Sequence, residues 1–167
     1  MLVSAPLYHK NASMSSKLAF ASGGKVVLLP EFSASAYLDA ITSYGVTMCS
    51  GVPTMYALIT AELHNSSEEH DLSSVERVFI GSAPLTEALF DDIQDLFPTA
   101  FVTNGYGTTE AVLEFGPHPE GLERPKISLG YEHPDVELKL VDPVSGAEGP
   151  SGELWVKSKG VMLGYHD

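Results

Sequence analysis

Asn104-Gly105-Tyr106-Gly107-Thr108-Thr109-Glu110 follows the apolar residues Phe101 and Val102 and ends in two hydroxyls and a carboxylate. This reads as a strand that runs out into a nucleotide site. The two glycines let backbone approach a ligand closely and permit dihedrals that other residues resist. Tyr106 offers a flat face to a base. Thr108 and Thr109 can hydrogen-bond phosphate oxygens, and Glu110 can hold a hard cation such as Mg²⁺ through an oxygen. The same stretch also reads as a strand, a glycine turn and a capped helix, with Thr108 or Thr109 as N-cap and Glu110 early in the first turn.

Upstream of this stretch the chain alternates between short apolar runs and amphipathic ones. Residues 1–9 begin as a short apolar strand, after which Met14, Leu18 and Ala21 recur at helical spacing before Gly23-Gly24. Residues 25–29, ended by Pro30, have strand length and are expected to be covered on both faces. Ser35 is the expected cap of a helix with Tyr37, Ile41 and Tyr44 on one face and Gly45 at its end. Residues 46–50 form a third strand, and Pro53 opens a helix with Met55, Leu58, Ile59 and Leu63 inward.

A polar loop follows over residues 65–74, and a fourth strand over 75–80 runs into Gly81-Ser82-Ala83-Pro84. Thr86 then opens a helix with Leu85, Leu89, Ile93, Leu96 and Phe97 inward and Asp91, Asp92 and Asp95 facing water. Phe101 begins the fifth strand. Such alternation implies an α/β fold, a mainly parallel doubly wound sheet with helices on both faces. Ligands of these sheets collect beyond the carboxyl ends of the strands, where His9, the Gly81 turn and the Gly105 turn would emerge together.

After Phe115 the composition changes. Residues 116–127 are Pro- and Gly-rich and read as a connection between an α/β unit over 1–115 and a partial antiparallel β unit over 128–167. In the latter, Val136, Leu138 and Leu140 alternate with Glu137 and Lys139, and Leu154 and Val156 alternate with Glu153, Trp155 and Lys157. Asp142-Pro143 and Gly149-Pro150-Ser151-Gly152 supply the turns.

Across 167 residues, 44% are hydrophobic and 19% charged, enough for a real core. The formal net charge of −13 opposes a nucleic-acid or anionic-membrane partner, so a bound nucleotide needs local screening by backbone amides and Mg²⁺. The single cysteine, Cys49, lies in a run that reads as buried strand and is expected to be an inert core thiol. With no apolar run of membrane-spanning length and no secretory pattern, a cytoplasmic location is the expectation. His64, His70, His118, His133 and His166 lack metal-ligand spacing and are expected at the surface or in loops. Gly23-Gly24-Lys25 lacks the spacing and the following Ser or Thr of a phosphate loop.

Four segments, in order, carry a family resemblance. The Tyr-Gly-x-Thr-Glu stretch, Pro6-Leu7-Tyr8-His9, Gly81-Ser82-Ala83-Pro84-Leu85 and Gly152-Glu153-Leu154-Trp155-Val156 with Gly160-Val161-Met162-Leu163-Gly164-Tyr165 resemble motifs of the adenylate-forming superfamily. This superfamily includes acyl-CoA synthetases, luciferases and peptide-synthetase adenylation domains. The last segment looks more like fatty-acyl or aryl CoA ligases. Ser82 stands where the family's turn has a second glycine.

The resemblance implies a small β-barrel-like subdomain after the α/β unit, ATP/AMP and Mg²⁺ as ligands, and CoA as a substrate. It implies that Tyr106 stacks on adenine, with Asn104, Gly105 and the backbone of Gly81, Ser82, Ala83 and Pro84 around the base and acyl group. Gly107 completes the turn and Thr108 fills the motif's variable position. Thr109 would contact the α-phosphate, Glu110 would hold Mg²⁺, and His9 would stand beside the acyl and thioester channel.

The parent reaction would join a carboxylate to ATP and then to CoA. Family members also use an upstream phosphate loop ending in Lys, a later ribose contact and a mobile C-terminal domain carrying a lysine. None of these falls within the 167 residues, so this stretch alone is expected to be inactive. A free-standing nucleotide-binding or protein-interaction module is the alternative, and self-association through sheet edges left bare is a further expectation.

Overall fold

The computed structural model describes residues 1–111, 115–116 and 118–166, in two units, Met1–Asn104 and Gly105–Asp167. Five short strands carry the first: β1 (Leu2–Val3), β2 (Val27–Leu28), β3 (Met48–Gly51), β4 (Arg77–Gly81) and β5 (Phe101–Gly105). They form one sheet of order β2-β1-β3-β4-β5. β1 pairs in parallel with β2 and β3, and β3 with β4, so that Cys49 stands opposite both Leu2 and Val78. Phe101 N donates to Glu76 O at 2.8 Å and Thr103 Oγ1 to Val78 O at 3.3 Å, which sets β5 beside β4 in the same direction. This is the flavodoxin-like order of parallel strands, in which the sequence of strand addition reverses between β1 and β3.

Helices α1 (Lys10–Ala21), α2 (Ala34–Tyr44), α3 (Pro53–Asn65) and α4 (Glu87–Leu96) connect the strands. α2 packs on α3 and α3 on α4, whereas α1 packs on β1 and β3. Right-handed crossovers in this strand order place α1 on one face and the other three on the opposite face. Between the layers lie Leu2, Cys49, Val78, Ile80 and Val102 from the sheet and Tyr37, Ile41, Tyr56, Ile59 and Ile93 from the helices, all buried. Burial of each large apolar side chain contributes about 1.5–3 kcal/mol.

The helix ends follow their local chemistry. Gly45 takes φ 57° as the left-handed stop of α2, Pro53 occupies the first turn of α3, and Thr86 Oγ1 accepts from Leu89 N at the start of α4. The cap of α2 is Ser33, whose Oγ accepts from Ala36 N at 3.5 Å, and not Ser35. Burial also departs from the periodicity. Met14, Leu18, Tyr44 and Leu58 are exposed, while Ala12, Ala19 and Tyr56 are buried. α1 lies close on the sheet through alanines, so its large side chains point outward. β2 is an edge strand with Leu28 exposed, so it is not covered on both faces.

The second unit contains two antiparallel pairs, β6 (Phe115–Gly116) with β7 (Tyr131–Glu132), and β8 (Val136–Val141) with β9 (Glu153–Ser158). In the longer pair Val136 faces Ser158 and Val141 faces Glu153. Lys157 binds Glu137 at 2.8 Å across the strands, and Lys139 binds Glu148. The Asp142 carboxylate accepts from Val144 N and Ser145 N at 2.9 and 2.7 Å, closing the turn expected at Asp142-Pro143. The β6–β7 pair brackets the Pro- and Gly-rich connection, with Gly116 alone inside it. Pro117 of that connection lies outside the described residues. Gly130, at φ 103°, passes so near Gly116 O that no Cβ fits there. Among the described residues no helix is long and apolar enough to cross a membrane.

Candidate nucleotide site

In the first unit the motif residues sit just past the carboxyl ends of parallel strands. After β1, His9 N donates to Pro6 O at 2.9 Å, and His9 O accepts from Ser13 N at 3.0 Å as α1 begins. The exposed His9 ring packs against Tyr8, with centroids 4.6 Å apart. At the end of β3, buried Ser50 donates from Oγ to Asn11 Oδ1 at 2.7 Å, which ties the first turn of α1 to the neighbouring strand. After β4, Gly81 is buried and Ser82, Ala83 and Pro84 are exposed. Ser82 has φ 67°, a left-handed conformation that disfavours any side chain. Asn104 lies in β5, one strand further on. His9, the Gly81 to Pro84 turn and Asn104 thus share one end of one sheet.

In the second unit the Tyr106 ring meets Phe115 edge-on, centroids 5.9 Å apart and planes at 76°, and remains 39% exposed. Thr108 Oγ1 accepts from Ala111 N at 3.1 Å. The capping role that the bare sequence left open between two threonines therefore falls to Thr108 and leaves the exposed Thr109 hydroxyl out of that turn. Residues 112–114, where a helix would continue, lie outside the described residues.

Glu110 is exposed, and its carboxylate accepts a 2.6 Å hydrogen bond from the Tyr165 hydroxyl. Glu110 O also accepts from Met162 N at 2.7 Å. The charged acceptor holds the Tyr165 phenol above its ordinary pKa, with slight desolvation adding to the effect. Tyr165 was not among the expected site residues. The signal for it was the Gly160 to Tyr165 segment, which spacing alone cannot connect to a carboxylate 55 residues away.

Other candidates sort themselves by burial. Cys49 is fully buried, and desolvation pushes its thiol up to about 12, so it is no nucleophile. His118 Nε2 lies 3.0 Å from Ser128 Oγ with its ring edge-on to Tyr131. His70 lies in a loop as expected, but its side chain is only 4% exposed. A cavity of about 610 Å³ lined by Met1, Val27, Tyr44 and Thr47 opens at the amino end of the strands, away from the motifs.

A flavodoxin-like sheet with its motif residues at the carboxyl ends of the strands is the arrangement of a ligand-binding α/β protein. The model of the AMP-binding enzyme family matches residues 1–166, and the chain belongs to that family. It is 34% identical over 173 residues to 4-coumarate–CoA ligase-like 9 of Arabidopsis thaliana, a match covering 98% of this chain and 30% of that protein. A long-chain-fatty-acid–CoA ligase from Archaeoglobus fulgidus superposes with TM-score 0.86 at 23% identity, over 98% of this chain and 35% of that one, a likeness of fold. The ATP-bound RpMatB-BxBclM chimera B3 superposes with TM-score 0.80 at 26% identity, over 98% and 32%. The chain spans about a third of the length of the proteins it matches.

Proposed function

We propose that this chain is the nucleotide- and acyl-binding part of an AMP-forming acid–thiol ligase. That enzyme would convert a carboxylate, ATP and CoA to acyl-CoA, AMP and pyrophosphate. The observation that carries the reading is the family match over residues 1–166, with His9, the Gly81 to Pro84 turn and Asn104 at the carboxyl edge of the first unit's sheet.

In this reading Tyr106 stacks on adenine, an interaction typically worth ~1–3 kcal/mol. Its edge-on contact with Phe115 supports that role by holding the ring in one orientation. Asn104, Gly105 and the Gly81, Ser82, Ala83 and Pro84 backbone border the base and the acyl group, and Gly107 lets the chain turn close to the phosphates. Thr109 donates its hydroxyl to the α-phosphate, while Thr108, already holding Ala111 N, keeps the turn in shape. His9, exposed beyond β1, flanks the channel through which acyl group and thiol meet.

Glu110 fits Mg²⁺ because it presents an exposed carboxylate, and Mg²⁺ is commonly held by one or two carboxylates together with substrate phosphates. Bound there, the ion would neutralise phosphate charge and make the α-phosphorus a better electrophile. Tyr165 fixes the carboxylate that would hold it. The carboxylate substrate attacks the α-phosphorus, pyrophosphate departs, and the thiolate of CoA then displaces AMP from the acyl carbon. Residues 1–167 carry no lysine-bearing phosphate loop of the family type. This stretch alone is therefore proposed to bind the nucleotide without completing adenylation, since transition-state charge stabilisation is worth several kcal/mol.

The test is pyrophosphate exchange by the 167-residue chain in the presence of a panel of fatty and aryl acids, alongside binding of a non-hydrolysable acyl-AMP analogue. Binding without exchange is the expected result. Exchange abolished by Glu110→Ala would overturn the inactive reading and leave the site assignment standing. Absence of binding would overturn the site assignment.

A further inference from the structure

Asp39, in the middle of α2, and Glu68 and His70, in the loop after α3, bring one ligand atom each within 4.8 Å of one another. Among the described residues this is the one group of three acidic or imidazole side chains so arranged. Its centre is a buried imidazole. The His70 side chain is 4% exposed, and its Nδ1 points at Asp39 Oδ1 from 3.7 Å, beyond hydrogen-bond reach. Among the described residues its recorded partner is that carboxylate. Its nitrogen faces the Asp39 carboxylate, and a carboxylate oxygen of Glu68 lies within 4.8 Å of the ligand atoms of both.

The surroundings hold the imidazole in place but leave the carboxylates free to adjust. Thr42 Oγ1, nearly one helical turn beyond Asp39, donates to Asp71 O at 3.4 Å and pins the loop to α2 next to His70. The Asp71 carboxylate is turned away to accept from Ser73 N at 3.0 Å. Asp39, by contrast, is 61% exposed on its side chain, and Glu68 is exposed.

We propose that Asp39, Glu68 and His70 form a binding site for a divalent transition-metal ion of the zinc class, separate from the nucleotide site. Bond lengths of about 2.0–2.2 Å put ligand atoms of a tetrahedral zinc site roughly 3.3–3.6 Å apart. The 3.7 Å between Nδ1 and Oδ1 is close to that already, and a rotamer change of the exposed Glu68 closes the other two distances. One imidazole with two carboxylates favours zinc, manganese or iron over magnesium or calcium, which take oxygen ligands almost alone. The chain's net charge of −13 raises the local concentration of cations. Occupancy cross-links the loop after α3 to α2, so the ion acts as a local staple.

The test uses the untagged 167-residue chain, stripped with chelator and titrated with Zn²⁺ alone against a chromophoric competitor, with Co²⁺ as a spectroscopic probe. The expected result is one high-affinity ion per chain, a visible Co²⁺ absorption band of near-tetrahedral type, and a chelator-reversible rise in melting temperature. Asp39→Asn and Glu68→Gln, both at exposed positions, should keep the metal-free melting curve and weaken Zn²⁺ by about tenfold or more, at least what loss of a supporting partner costs. His70→Gln should abolish binding, and His64→Gln should leave it unchanged. Unaltered affinity in both carboxylate variants, or no saturable binding by the parent chain, would overturn the proposal.

Discussion

Ser82 holds φ 67° in the turn after β4, a conformation that costs a non-glycine residue about 1–2 kcal/mol. Ser82→Gly relieves that strain but returns about 0.4–1 kcal/mol to the unfolded chain as entropy, so a net gain of about 0.5–1 kcal/mol is expected in urea unfolding. Ser82→Val, β-branched at positive φ, should be less stable than the parent; a valine variant at least as stable would show that the turn is not strained.

Tyr165 offers a second test at this scale. Its pKa is raised in the folded chain by Glu110, so the stabilisation is complete below the ordinary tyrosine pKa and is lost as pH climbs through the raised value. In ultraviolet titrations differenced against Tyr165→Phe, this phenol should ionise later than an ordinary tyrosine, and Glu110→Ala should bring it back down. Identical titration with and without Glu110 would contradict the hydrogen bond. Cys49, pushed up to about 12 by burial, should stay unreactive to thiol reagents at pH 8 until the chain unfolds; a fast reaction in the native state would place it at the surface.

Among the elements, α4 depends on its cap. Thr86→Ala removes the acceptor for Leu89 N and should cost about 1 kcal/mol by urea unfolding; a change near zero would mean that water replaces the cap. α4 and the strands were readable because strand-length apolar runs and capping signals agree there with what the sheet demands. Other parts were not. Periodicity marks where large apolar residues fall, not which face meets the sheet, and in α1 alanines make the contact while Met14 and Leu18 are exposed. Tyr56 gave no outward sign of burial beside Met55 and Ile59. The β6–β7 pair consists of two-residue strands joined across a long connection, too short for any repeating pattern. The threonine cap in the seven-residue motif stretch was legible because its hydrogen bond is local, while the Tyr165–Glu110 bond was hidden because its partners are far apart in the chain.

At the scale of the molecule, β2 ends the sheet with two residues and an exposed Leu28. Open strand edges of this sort pair with other chains, and concentration-dependent association is the expected outcome in sedimentation velocity. A monomer at all concentrations would show that the edge is too short to pair. The same sheet gathers His9, the Ser82 turn and Asn104 at its carboxyl end by topology alone. The proposed nucleotide site in the stretch after β5 rests on the family match over residues 1–166.

The most direct test is a melting curve of the chain with and without Mg²⁺ and a non-hydrolysable acyl-AMP analogue, repeated on Tyr106→Ala. Ligand at about a hundred times its dissociation constant should add ~2.7 kcal/mol. For a chain of this length that is a rise of roughly 5–10 °C. That rise is expected in the parent chain and is expected to be lost in Tyr106→Ala. An equal rise in both chains, or none in a cooperatively melting parent, would contradict the proposed site.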